Sequence, residues 1–205
     1  MTKAGTAKDE IIQKDILQAA LQLFQKYGLN KVTMDDVAKA VGKGRSSLYY
    51  YYKSREEIFE AVMEATIGEI IREISEAVQQ GSSVEQKIHA FCWMKLKTSE
   101  ERQAFYRALE NGMGAEEMSK HRAAMTTFHL HLMERESAIL RQVLEEAAES
   151  KAIKPITKKE MDLHIFVLLS SIRGIKREVL LKGENYKDIK SVVFTLGHML
   201  IKSLT

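Results

Sequence analysis

One proline, Pro155, is all that interrupts the 205 residues, and glycine adds only 11 further positions of loose backbone. The two together are about half their share in average usage, which excludes collagen-like, low-complexity and turn-rich β architectures. Apolar spacing then selects the helix. Ile12, Ile16, Ala19, Ala20, Leu23, Phe24 and Tyr27 recur at intervals of three and four, one face of a helix, and Gly28 follows as a left-handed cap. The same pattern runs to the C-terminus and predicts an all-α chain of about nine helices, with no alternating strand pattern and no internal repeat.

Helix starts are written as capping boxes. Thr33 with Asp36 has the spacing, and Val32 and Val37 flank it as a hydrophobic staple. Ser54 with Glu57, Ser83 with Gln86, Thr98 with Glu101 and Thr157 with Glu160 repeat it. The expected helices after the first are a short one ending at Val41, one over 45–52, and a long one from Ser54 to Gly81. Others run from Ser83 through Leu96, from Thr98 to Gly112 or Gly114, over 116–150, from Thr157 to Gly183, and over 186–204.

With 45% apolar and 29% charged residues the chain can bury a core and stay soluble. A single cysteine, Cys92, forms no internal disulfide, so a disulfide-stapled secreted domain is excluded. The polar stretch 1–10 lacks the apolar centre of a signal peptide, and the longest apolar run, 165–169, is far short of a membrane span. The expectation is a cytoplasmic protein.

The net charge of +3 hides an asymmetry: residues 1–55 carry ten Lys and Arg against five acids, a net of +5, and leave −2 for the remainder. A basic end on a slightly acidic body points to a polyanionic partner. Two short helices joined by Val41-Gly42-Lys43-Gly44 fit a helix-turn-helix, whose second helix enters the major groove of duplex DNA. At about 100° per residue, Leu48 and Tyr52 share an inward face while Ser46 and Tyr50 point nearly opposite, flanked by Arg45, Tyr49 and Lys53. Arginine can bond a guanine edge in bidentate fashion, and serine, tyrosine and lysine mainly hold phosphates. Four consecutive tyrosines, 49–52, cannot all face inward. The bland reading, a core aromatic patch, accounts for two of them at most.

The segment Thr33-Met34-Asp35-Asp36-Val37-Ala38, with Ser47-Leu48-Tyr49-Tyr50-Tyr51-Tyr52-Lys53-Ser54-Arg55-Glu56-Glu57-Ile58-Phe59, resembles the DNA-binding domain of TetR-family transcriptional regulators. The resemblance covers about residues 8–63. It implies phosphate contacts at Thr33, Tyr50, Tyr51 and Arg55, and base or mixed contacts at Arg45, Ser46 and Tyr49. Ser47 and Lys53 complete the candidate DNA-binding set. Lys43 and Gly44 replace the family's usual apolar residue and Ser or Thr in the turn, Ser46 its common glycine, and Tyr52 its usual phenylalanine. Operator sequence therefore does not carry over.

The expected domains are 1–54, binding DNA, and 55–205, a helical regulatory domain for which the family implies a ligand cavity and a dimerising helix pair. The sequence supports the dimer separately. Residues 163–175 are apolar nearly all round, so that helix is buried on several sides. Candidate interface residues are Phe166, Leu169, Ile172, Val193, Leu196 and Leu200, the alternative being the core of a monomer. Candidate ligand residues are Trp93, Phe105, Tyr106, Met113, Met125, Phe128 and His129, within a chain of ten methionines; for each singly, ordinary core is the stronger reading.

No metal or cofactor is expected: His129 and His131 point about 200° apart on a helix, and His121 and His129 lie about 12 Å apart along it. No nucleophile–base constellation marks an enzyme. The reading is a homodimeric, sequence-specific regulator of transcription, most often a repressor in such a family, acting on a palindromic operator and answering to an unknown small-molecule effector. The alternative is an architectural or division-linked DNA-binding factor without an effector; a helical enzyme with an interaction head ranks third.

Overall fold

The computed structural model describes residues 7–182 and 188–205. Among them lie nine α-helices and no strand: α1 (Ala7–Tyr27), α2 (Met34–Ala40), α3 (Arg45–Tyr51), α4 (Arg55–Gln79), α5 (Val84–Glu101), α6 (Gln103–Leu109), α7 (Ala115–Glu149), α8 (Lys158–Lys182) and α9 (Ile189–Leu204). The expected end at Gly183 and start at Tyr186 lie outside the described residues; α9 is instead capped by Asp188, whose side chain accepts from the Ser191 N–H. No helix among the described residues is long and apolar enough to cross a membrane.

One expected boundary is absent. Thr98 does not start a helix: α5 runs straight through it. The side chain is 2% exposed and its hydroxyl donates to the Met94 carbonyl at 2.8 Å, the i−4 bond that satisfies a threonine inside a helix. The break comes at Arg102. The box at Thr157 forms as spelled, with Glu160 accepting from the Thr157 N–H at 2.8 Å and Thr157 Oγ1 accepting from the Glu160 N–H at 3.3 Å.

The chain forms two compact units, one of Met1–Ile67 with Arg102–Phe128, the other of Gly68–Glu101 with His129–Thr205. This partition differs from a cut at 54/55 because the first unit recruits α6. Phe105 and Leu109 are buried and α6 packs along α1. Gly28, at φ +82°, closes α1, and a Cβ there would lie 2.8 Å from the Asn111 carbonyl oxygen, so only glycine fits this approach. Ile16, Ala20 and Phe24 of α1 are buried, as are Val37, Leu48 and Ile58, and Phe24 lies edge-on to Phe59 at 6.0 Å.

In the second unit, Ile74, Ile88, Phe91, Leu96, Leu140, Leu144 and Leu168 are buried together with Val193 and Leu204. Cys92 is part of this core, and burial pushes its thiol up to about 12, which keeps it protonated and inert.

Thr33 hydrogen bonds hold the Asp36 carboxyl below its ordinary value. A depressed folded-state pKa means the cap is at full strength above the unfolded-state value and is lost as pH falls through the folded one. Urea unfolding at a series of pH values is expected to show Thr33→Ala less stable than the parent at neutral pH, with the difference shrinking in acid.

Candidate nucleic-acid interface

The site is built from two helix termini and the turn between them. Thr33 caps α2 with a complete box: its Oγ1 accepts from the Asp36 N–H at 3.2 Å and its own N–H reaches Asp36 Oδ2 at 2.9 Å. At the other end Lys43 donates to the Ala38 carbonyl at 3.0 Å and Gly42 to that of Lys39 at 3.1 Å. This pair of bonds is a Schellman motif, with Gly42 at φ +63° in the left-handed position it needs. The turn is thus fixed by backbone bonds, and α3 starts at Gly44 without a side-chain cap.

Two side chains hold α3 down. Leu48 is 0% exposed and Tyr52, the residue that ends the helix, 9%. The opposite side is open: Arg45, Ser46, Ser47 and Lys53 are exposed, as is Thr33 at the start of α2, while Tyr50 is 69% and Tyr49 40% exposed. Outward hydroxyls, phenols, an ammonium and a guanidinium share one surface, as the helical phase of the sequence requires.

The other candidates are partly engaged within the protein. The half-buried Tyr51 donates its hydroxyl to Asp9 Oδ1 at 2.9 Å, which ties α3 to the first turns of α1, and that bond, aided by burial, raises its phenol. Arg55 gives Nη1 to the Asn30 carbonyl at 3.1 Å and pairs with Glu56 at 2.7 Å. It joins the start of α4 to the loop before α2.

Asp35, in the first turn of α2, escaped the sequence reading. Its Oδ1 lies 3.2 Å from Arg45 Nε, and the same guanidinium lies 5.6 Å from the centre of the Tyr49 ring. Carboxylate and ring together aim the one arginine of the α3 surface. The signal was an acid at the start of one helix facing a base at the start of the next, which becomes visible only once the turn geometry is known.

The remaining candidates are distributed. Phe105, Tyr106, Met113, Met125 and Phe128 belong to the first unit, where Tyr106 lies 5.9 Å from Phe128 and burial pushes its phenol up to about 12. Trp93 and His129 belong to the second. There Trp93 lies under the Lys190 ammonium at 4.8 Å, and His129 meets Arg173.

The interface set needs correcting. Leu169, Ile172 and Val193 are 2%, 2% and 0% exposed and belong to the chain's own core. The helical phase of α8 explains this, because 165, 168, 169 and 172 turn inward while 163, 166 and 167 turn outward. Leu163, Phe166, Val167 and, from α9, Met199 are 50–63% exposed. With Leu196 and Leu200 as part of its lining, a groove of about 290 Å³ opens between the outer sides of α8 and α9.

Residues 16–62 match the family described as bacterial regulatory proteins, tetR family. This match places the N-terminal region of the chain in the TetR family of transcriptional regulators. It is 25% identical over 158 residues to the HTH-type transcriptional regulator YhgD of Bacillus subtilis, covering 77% of this chain and 78% of that one. It is 26% identical over 140 residues to the nucleoid occlusion factor SlmA of a Marinomonas species, covering 68% and 69%. A transcriptional regulator from Cytophaga hutchinsonii shares the fold, with a TM-score of 0.68 over 97% of this chain and 99% of that one, at 21% identity.

Asp35 both orients Arg45 and places a negative charge beside any approaching phosphate. Asp35→Asn is expected to tighten binding to random duplex and relax sequence preference. Fluorescence anisotropy of specific and scrambled duplexes over a salt series measures both effects.

Proposed function

We propose that this TetR-family regulator binds a palindromic operator as a homodimer, with α3 in the major groove, and that a small-molecule effector releases or rearranges it. The single observation that carries the DNA reading is the anchored α3: Leu48 and Tyr52 are buried while Arg45, Ser46, Tyr49 and Tyr50 face outward. Arg45 reads a base edge, Tyr49 and Ser46 assist it, and Thr33, Ser47, Tyr50 and Lys53 hold phosphates. Tyr51 and Arg55 reach phosphates only by giving up or sharing their bonds to Asp9 and Asn30. Arg45→Ala is expected to weaken specific binding by about 1–3 kcal/mol and relax preference at one base position. Competition of variant duplexes in an anisotropy assay measures both; unchanged affinity and preference overturn the assignment of α3.

The exposed apolar groove on α8 and α9 supports the dimer. Isolated large apolar side chains on a surface need no partner, but a contiguous set of this kind does, and a two-fold axis supplies it. Two copies of α3 then meet half-sites about 34–36 Å apart, or a multiple of that. Met199→Glu is expected to shift the protein to monomers in sedimentation velocity and to abolish stable binding to a two-half-site duplex, while leaving helix content unchanged.

An effector acts only by binding one arrangement of the dimer better than another; repression of nearby genes in the cytoplasm follows if the free form is the one that holds the operator. The second reading, a DNA-binding factor linked to nucleoid position or division without an effector, is favoured by the similarity to SlmA over 68% of the chain. Selection of bound duplexes from a random pool, mapped to the genome, separates the two. A few sites at promoters support regulation, and many dispersed sites support the alternative.

A further inference from the structure

The second unit holds a group of charged side chains outside the lining of the apolar groove. α5 contributes Lys95 and Ser99, α7 His129, Met133 and Glu136, and α8 Arg173 and Lys176, each set spaced at three or four residues and so on one face of its helix. Glu136 is 1% exposed and accepts from Lys95 Nζ at 2.5 Å. Burial pushes the Glu136 carboxyl up, against the pull of Lys95 and Arg173. Within this pair one buried charge answers another.

The other two cations make their hydrogen bonds elsewhere, and Glu136 attracts Arg173, as Glu100 does Lys176, through space. Arg173 gives its Nη1 to His129 Nε2 and lies 3.5 Å from Met133 Sδ. Lys176 gives its ammonium to Ser99 Oγ and, at 3.4 Å, to the Ser99 carbonyl. Every one of these partners is neutral when His129 is unprotonated, and burial, followed by Arg173 and Lys95, lowers the pKa of that imidazole. Burial lowers Lys176 as well, with Glu100 opposing and Lys95 adding to it. Among the described residues, three cations are therefore set against two carboxylates, Glu136 and Glu100. Half-buried Lys176 is only partly compensated by Glu100, and an anion supplied from solution lowers the cost of its desolvation.

We infer that Arg173 and Lys176 form a receptor for the oxyanion head, carboxylate or phosphate, of a small molecule. Arg173 is exposed and Lys176 half-buried, so an entering anion meets the guanidinium first and the ammonium at depth. Guanidinium Nε and Nη2 present the planar fork that matches a carboxylate or phosphate edge. Lys95, fixed on Glu136, adds positive field without leaving its partner. The role of this receptor rests on the effector reading above: it names the chemistry of the effector's head.

The test uses the full chain with octanoate and inorganic phosphate as probes, read by the His129 imidazole signals in NMR and by operator anisotropy in the same samples. Saturable binding of either probe is expected, with the His129 pKa rising as the anion offsets Arg173 and Lys95; which probe binds identifies the head group. Arg173→Gln combined with Lys176→Gln is expected to weaken binding about tenfold or more, whereas Arg173→Lys with Lys176→Arg retains most of it. No saturable shift with either probe, or an equal response in the neutral double variant, overturns the receptor. Operator release by uncharged compounds alone leaves the effector reading standing without this site. Anion binding that leaves operator occupancy unchanged keeps the site and removes its regulatory role.

Discussion

Burial of Leu48 beneath α3 is the contact that makes the rest of the outward surface of this helix possible. A seven-residue helix has too few internal bonds to persist alone, so its orientation comes from the side chain it inserts and from the backbone that delivers it. The Thr33 box fixes where α2 begins, and the bonds from Lys43 and Gly42 to Ala38 and Lys39 fix where it ends. With both ends of α2 set, residues 45, 46, 49 and 50 have one direction left, away from the core.

Much of this was legible because it depends on local rules. The box at Thr33, the glycine at position 42 and the phase separating Leu48 from Tyr50 are short-range patterns, and each appears in the structure where the spacing put it. What failed was long-range. Thr98 carries the same box spelling as Thr157, yet one is buried inside a helix and the other caps one; burial, which spelling does not encode, decides between them. The apolar ring of α8 likewise reads as buried on all sides, whereas the structure buries Leu169 and Ile172 and exposes Phe166.

The two units handle charge in different ways. Around α3, charges lie in water and are steered by single neighbours, Arg45 by Asp35 and Arg55 by Asn30 and Glu56. Such pairs contribute little to stability, and their use is directional. At Glu136 and Lys95 the charges are largely withdrawn from solvent, and the same interactions gain strength there. An open surface suits a large polyanion recognised at many points, and a half-closed one suits a single small anion.

The seating of Gly28 against Asn111 also bears on how the chain is made. Unit one takes in Arg102–Phe128, with α6 laid along α1 and Phe105 and Leu109 inserted. A nascent polypeptide that has cleared the ribosome only to Ile67 therefore holds α1 to α3 and the first half of α4, with the flank of α1 that α6 covers left bare. Domains emerging first usually fold first, but here the N-terminal portion waits for the segment that follows α5. A fragment cut before α6 inherits the same bare flank.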